Sequence, residues 1–197
     1  MHAFVQEIQT LFSTHPPPFV YIYDPVSVRT ASTVLETSLS GLLHVHLDAV
    51  SCFSQKLLFD NILNSLPGLD PDERYNDSWD SFLHGLGHHQ QRQRRAAGHK
   101  DVPLVISVEQ VDRLKPDTIV PLSRLRELVL FPPFFNLFCD ELYQSQTNVT
   151  VVFISQTQWQ DVKPASGASP EPYYIDVKPL TKSGILPFLC RRSRRSR

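Results

Sequence analysis

The sequence has few cysteines and no long apolar run. Its three cysteines, Cys52, Cys139 and Cys190, lie far apart and form no CxxC pair, so they predict neither a disulfide framework nor a zinc site. No apolar run reaches the length of about 18 residues that crosses a bilayer. Residues 1–13 include Glu7 and lack the basic start of a signal peptide. These absences favour a reducing compartment, the cytosol or the nucleus, and exclude a membrane partner.

Positive charge is scarce outside the C-terminus. The net charge is −1, and five arginines lie within residues 191–197, so the preceding 190 residues carry a net charge of −6. This acidic body offers no basic face that would hold nucleic acid unaided. We predict one domain over residues 1–188 and a basic, disordered tail over 189–197. The tail is interpreted either as a solvated end, or as a phosphate contact or nuclear localisation signal.

Short apolar runs recur, with helical stretches between them. The runs are rich in Val, Ile and aromatic residues, which is typical of strands buried on both faces of a parallel sheet. The predicted strands are Phe19–Tyr23, Leu42–Leu47, Pro103–Val108, Thr150–Ser155 and Tyr173–Val177. The predicted helices are Ser27–Leu39, Phe53–Leu66, Trp79–Arg95 and Leu122–Leu130. Because strands alternate with helices, we predict a three-layer α/β fold.

Four histidines, His84, His88, His89 and His99, lie in a segment that is also rich in Gln and Arg. Two histidines four residues apart on a helix share one face and can share a metal ion. No cysteine or carboxylate with ligand spacing completes the set. We therefore interpret the segment as a polar surface insertion and predict no metal site.

The first predicted strand runs into a loop at the position where P-loop proteins bind phosphate. In such loops glycine-rich backbone N–H groups cradle phosphates, a lysine reaches the β- and γ-phosphates, and a hydroxyl binds Mg²⁺. The candidate nucleotide-binding residues here are Asp24, Pro25, Val26, Ser27, Val28, Arg29 and Thr30. Both glycines are missing, and Pro25 has no N–H to donate. Binding of ATP and Mg²⁺ stays open, because Asp24 would repel phosphate whereas Arg29 could pair with it.

Two other strand ends carry polar residues of the kind that surround a nucleotide. Glu109 stands where a Walker B carboxylate would hold Mg²⁺, and Gln110 stands where a catalytic glutamate would follow. Glutamine cannot act as a general base, so we expect no hydrolysis and no catalytic residue. Ser155 ends the next strand at the position of a polar sensor residue. The alternative is that these are simply solvated strand ends.

Taken in order, these segments resemble the fifth-subunit family of the origin recognition complex, which belongs to the AAA+ ATPases. The distinctive matches are residues 43–66 (LHVHLDAVSCFSQKLLFDNILNSL) and 148–159 (NVTVVFISQTQW). The resemblance implies a RecA-like P-loop NTPase domain with a five-stranded parallel sheet, lacking the lid and winged-helix regions. It also implies a nuclear protein whose partners are the other subunits of the complex and, within it, origin DNA.

The resemblance implies a structural subunit of replication initiation rather than an enzyme. One alternative is an ATP-binding P-loop NTPase with an unusual loop. Another is a DNA-binding module that acts through the arginine-rich tail. The segment Leu130–Cys139 (LFPPFFNLFC) departs from the family pattern as an insertion. Its phenylalanines favour a partner-facing patch, local core packing or a wrongly retained intron.

Overall fold

Five strands alternate with helices along the part of the chain that the structure describes. This computed structural model describes residues 2–13, 16–74, 76–98, 102–130, 148–165 and 169–178. The strands are β1 (Phe19–Tyr23), β2 (Leu43–Asp48), β3 (Leu104–Glu109), β4 (Val149–Ser155) and β5 (Tyr173–Asp176). The helices are α1 (His2–Ser13), α2 (Val28–Ser38), α3 (Gln55–Ser65), α4 (Trp79–Ala96), α5 (Pro116–Ser123), α6 (Leu125–Leu130) and α7 (Trp159–Val162).

All five strands run parallel, in the order β2-β3-β4-β1-β5. The first strand therefore lies inside the sheet, between β4 and β5. Parallel strands place their carboxyl ends at one edge, and the register brings Tyr23 opposite both Ser155 and Asp176. In the same way Asp48 lies opposite Glu109. The polar strand ends predicted from the sequence thus collect along one edge of the sheet.

Two apolar clusters hold helices against the two faces of this sheet. On one face, α1 and α2 contribute Phe4, Ile8 and Leu35. On the other, α3 to α7 contribute a larger cluster with aromatic side chains such as Phe59 and Trp159. Every residue of β4 is buried, as expected for a central strand that is covered on both sides. The predicted three-layer α/β fold is confirmed.

Helix α4 is the longest helix in the described part of the chain. Ser78 caps its N-terminus, and Ser81 completes a reciprocal capping box. Its buried face carries Phe82, Leu86 and His89, and Phe82 stacks on Phe59 of α3 with ring centroids 4.2 Å apart. The helix thereby fixes the outer layer on the larger apolar cluster.

The structure differs from the predicted helices in three places. Helix α1 was not predicted, although Phe4, Ile8 and Phe12 recur at helical spacing and are all buried. The predicted helix Leu122–Leu130 is in fact two short helices that meet at Arg124. Pro116 starts the first of them, because proline suits the first turn of a helix. The short helix α7 was not predicted either, whereas the predicted helix Trp79–Arg95 is confirmed by α4.

Candidate functional site

A cleft of about 260 Å³ opens at the carboxyl edge of the sheet. Parallel α/β sheets bind ligands at this edge, where the strand order reverses, and β1 with its neighbour β4 forms that point here. The cleft is lined by Val26, Ser27, Val28, Arg29, Gln110, Asp112, Arg113 and Gln156. The predicted loop therefore borders the cleft together with residues that follow β3 and β4.

In the loop after β1, backbone N–H groups bind the carboxylate of a residue of the same loop, Asp24. Asp24 is 3% exposed, and its Oδ1 accepts hydrogen bonds from the backbone N–H of Val26 at 2.9 Å and of Ser27 at 3.0 Å. Pro25 supplies no N–H. The two backbone donors that follow it are thus already used by a negatively charged group, which is the role that a phosphate oxygen plays in a P-loop.

Contacts to the end of β4 fix this loop. The N–H of Asp24 donates to the carbonyl of Ser155 at 2.9 Å. The side chain of Gln156 donates through Nε2 to the carbonyl of Val26 at 3.1 Å. One end of the loop is therefore tied to β4 by backbone and the other by a side chain. These two contacts hold the loop in the conformation in which Asp24 accepts hydrogen bonds from the N–H groups of Val26 and Ser27.

Ser155, the predicted sensor residue, makes two structural hydrogen bonds. Its Oγ donates to Oδ1 of Asp112 at 2.7 Å and accepts the N–H of Thr157 at 3.0 Å. The phenol of Tyr21 donates to the carbonyl of Thr157 at 2.7 Å. Burial raises the pKa of Tyr21 above its ordinary value of 10, although its interaction with Ser155 opposes that rise. The phenol therefore stays a hydrogen-bond donor at physiological pH.

Glu109, the predicted Walker B carboxylate, lies beside His46 of β2. The Ser107 hydroxyl donates to a backbone carbonyl of β2, so it accepts from Nδ1 of His46 at 3.0 Å. On the other side, Nε2 of His46 lies 3.2 Å from Oγ of Ser32, 3.6 Å from Glu36 and 3.8 Å from Glu109. This network joins α2 to β2 and β3, and Glu109 is not among the residues that line the cleft.

Gln110 follows Glu109 in a left-handed backbone conformation, with φ 56° and ψ 41°. This region is unfavourable for residues that have a Cβ, and outliers of this kind collect at binding sites. Its neighbours on the cleft wall include Asp112 and Arg113, whose side chains approach to 3.4 Å. The cleft wall after β3 therefore carries a strained residue and an acid–base pair.

The predicted residues are brought together only in part. Residues 26–29 of the loop and the turn after β3 line one cleft, whereas Asp24 and Ser155 are buried and Glu109 lies beside His46, outside the cleft lining. Arg29 lines the cleft and is exposed, where the lysine of a P-loop would stand. The assignment of these residues to nucleotide binding stays a prediction. Asp112 and His46 organise the site and were not predicted as site residues, because their partners lie on other strands.

These contacts do not fit a nucleotide triphosphate with Mg²⁺. The amides that would meet phosphate already bind Asp24, and the carboxylate that would meet Mg²⁺ does not line the cleft. Among the described residues, no group of three or more His, Cys, Asp or Glu side chains is arranged to hold a metal ion.

No protein-family model matches the chain, and no curated protein matches its sequence. Its structure is similar to a chain in the structure of Drosophila ORC bound to DNA, with a TM-score of 0.68 and 16% sequence identity. The chain has an ORC-like fold. The match covers 99% of this chain and 50% of that one, so the chain spans about half the length of its structural neighbour. Its five-stranded parallel sheet is consistent with a P-loop domain of the AAA+ type.

Three predictions concern residues that lie outside the described part of the chain. They are the basic tail 189–197, the phenylalanine-rich segment beyond Leu130, and His99. Within the described residues, no helix is both long and apolar enough to cross a bilayer.

Proposed function

We propose that this chain is a non-catalytic, structural subunit of the origin recognition complex that supports initiation of DNA replication in the nucleus. Its partners are then the other subunits of that complex and, within the assembly, origin DNA. The similarity to a chain of Drosophila ORC bound to DNA over 99% of this chain supports the proposal. The segments that carry the sequence resemblance build β2 with α3, and β4 with the start of α7.

The observation that carries the non-catalytic role is the position of Asp24. A phosphate at this loop would have to displace a buried carboxylate from two backbone N–H groups. The displaced carboxylate would remain next to the phosphate, and two neighbouring negative charges repel strongly in a partly buried site. A nucleotide therefore gains little from this loop, even with Arg29 nearby.

The strand after the loop supports the same role. Glutamine at 110 offers no general base, and Glu109 lies between β3 and α2 with His46. The network around His46 instead fixes α2, which follows the loop, to the sheet. The polar residues of the site thus stabilise a shape, and we propose that neighbouring subunits recognise that shape.

The assembly is tested by co-expressing the tagged chain with the other origin recognition subunits of the same organism. We expect stable co-purification with and without ATP, since the loop is filled by its own carboxylate. Failure to recover any of these subunits, under either condition, would overturn the assignment to the complex.

The non-catalytic role is tested separately on the purified chain. We expect no ATP turnover above background and no Mg²⁺-dependent binding of a fluorescent ATP analogue. The matched variant is Arg29→Ala, which removes one of the two arginines that line the cleft and leaves Asp24 in place. Binding that is lost in Arg29→Ala would instead support the ATP-binding alternative, while leaving membership in the complex intact.

A further inference from the structure

Helix α4 carries two histidines on successive turns, outside the cleft and outside its buried face. The ring centroids of His84 and His88 are 4.1 Å apart, with the ring planes inclined by 38°. His84 is exposed and His88 is half-buried. The third histidine of the helix, His89, lies on the buried face, and burial lowers its pKa. His84 and His88 therefore form a pair at the surface, and His89 belongs to the core.

The spacing of this pair suits chelation of a transition metal. With metal–nitrogen bonds of about 2.1 Å, two imidazoles have their centroids roughly 4.6 Å apart at the 90° angle of a square-planar or octahedral metal and roughly 5.3 Å apart at the tetrahedral angle that Zn²⁺ prefers. The observed separation of 4.1 Å is short of the first value by about 0.5 Å and of the second by about 1.2 Å, so chelation needs a smaller side-chain rotation for Cu²⁺ or Ni²⁺ than for Zn²⁺. Imidazole favours Zn²⁺, Ni²⁺ and Cu²⁺ over the hard cations Mg²⁺ and Ca²⁺.

The turn between these histidines is intrinsically weak. It reads His84-Gly85-Leu86-Gly87-His88, and each glycine inside a helix costs about 1 kcal/mol relative to alanine. A Cβ at Gly87 would meet no atom within 4 Å, so packing does not require glycine there. A metal ion bound by both histidines would link the side chains at the two ends of this turn. Because the metal binds both histidines only when the turn is helical, metal binding stabilises the helical form of the turn.

We propose that His84 and His88 form a two-histidine chelate for a borderline divalent metal such as Zn²⁺ or Cu²⁺, which clamps the glycine-containing turn of α4. Water completes the coordination of the metal. This site is independent of the cleft at the carboxyl edge of the sheet and of the proposed role in the origin recognition complex.

The test measures Zn²⁺ and Cu²⁺ binding by calorimetry on the untagged full-length chain at a pH of about 7.5, where ordinary imidazole is neutral. All proteins carry His2→Gln, which removes a second imidazole next to the terminal amine. We expect binding of one ion per chain, weakened at least about tenfold in His84→Gln and in His88→Gln, because each loses the chelate. Magnesium should give no response.

The matched control is the double variant His88→Gln/Gln91→His. It keeps the number of histidines but moves one by a turn, so the pair is about 10 Å apart along the helix axis. We expect it to bind as weakly as His88→Gln. Hydrogen exchange should show Zn²⁺ slowing the amides of residues 84–91 in the parent chain alone. Equal affinity of the parent and the double variant would overturn the proposal, as would a parent chain that binds neither metal. Circular dichroism confirms that the variants fold.

Discussion

The interior of the sheet and its carboxyl edge are built from the same strands but are held together by different interactions. In the interior, apolar side chains of all five strands are buried between two helical layers. At the edge, Asp24 and Ser155 are held by hydrogen bonds to other residues of the chain, and Glu109 lies 3.8 Å from Nε2 of His46. Burial of apolar side chains therefore holds the sheet together without any contribution from the polar residues of its edge. Fold similarity at 16% identity accordingly says little about ligands.

The largest expected effect comes from the interior. Phe153 of β4 is fully buried, with its ring centroid 5.0 Å from that of Phe19 in an edge-to-face contact. Phe153→Ala should lower the free energy of unfolding by about 3–5 kcal/mol, through lost burial and the cavity that remains. The matched control is Phe53→Ala near the edge, where the side chain is 76% exposed. It should change stability by less than about 0.5 kcal/mol.

Urea denaturation of both variants measures this difference. A loss at Phe53→Ala as large as that at Phe153→Ala would break the distinction between the interior and the edge. It would show that an exposed aromatic ring at the edge stabilises the isolated chain.

The next effect sharpens the comparison at the edge itself. Asp24→Ala removes the acceptor of two backbone N–H groups and should cost about 1–3 kcal/mol. Asp24→Asn keeps a carbonyl oxygen in nearly the same place, so it should cost clearly less. Both values come from chemical denaturation. An alanine variant as stable as the parent chain would mean that Asp24 does not hold the loop, which would also weaken the case against nucleotide binding.

Removal of two different hydroxyl groups from β4 should have different effects on the stability of the chain. Ser155→Ala removes one donor and one acceptor that Asp112 and Thr157 use, and should cost about 1–2 kcal/mol. Thr150 lies in the interior, and its buried hydroxyl has no hydrogen-bond partner among the described residues. Thr150→Val keeps the shape and removes that polar group, so it should be neutral or stabilising by about 1 kcal/mol. Thermal unfolding of both variants measures these changes in stability. A loss of stability in Thr150→Val as large as that in Ser155→Ala would mean that the hydroxyl of Thr150 does have a hydrogen-bond partner.

The same contrast explains how much the sequence could predict. All five strands were predicted, with bounds that differ by at most one residue at each end, because runs of Val, Ile and aromatic residues mark buried strands locally. The edge is not local. Asp24 meets Ser155 only because β1 pairs with β4, and Glu109 meets His46 only because β3 pairs with β2. The sequence shows that residue 24 is an aspartate, but it does not show which two backbone N–H groups its carboxylate binds.

The smallest expected effect concerns Gln110, the residue of the cleft wall that has a left-handed backbone conformation. Glycine tolerates a φ of 56° without a Cβ penalty, so Gln110→Gly should stabilise the chain by up to about 1 kcal/mol. Gln110→Ala is the control, because it removes the same side chain and keeps the Cβ, and it should bring no gain. Differential scanning calorimetry of the three proteins separates the two contributions. If glycine does stabilise, no contact within the isolated chain offsets the strain of glutamine, and the proposed function then implies that this side chain contacts another subunit. A loss of stability in both variants would instead show that Gln110 packs the edge of the chain itself.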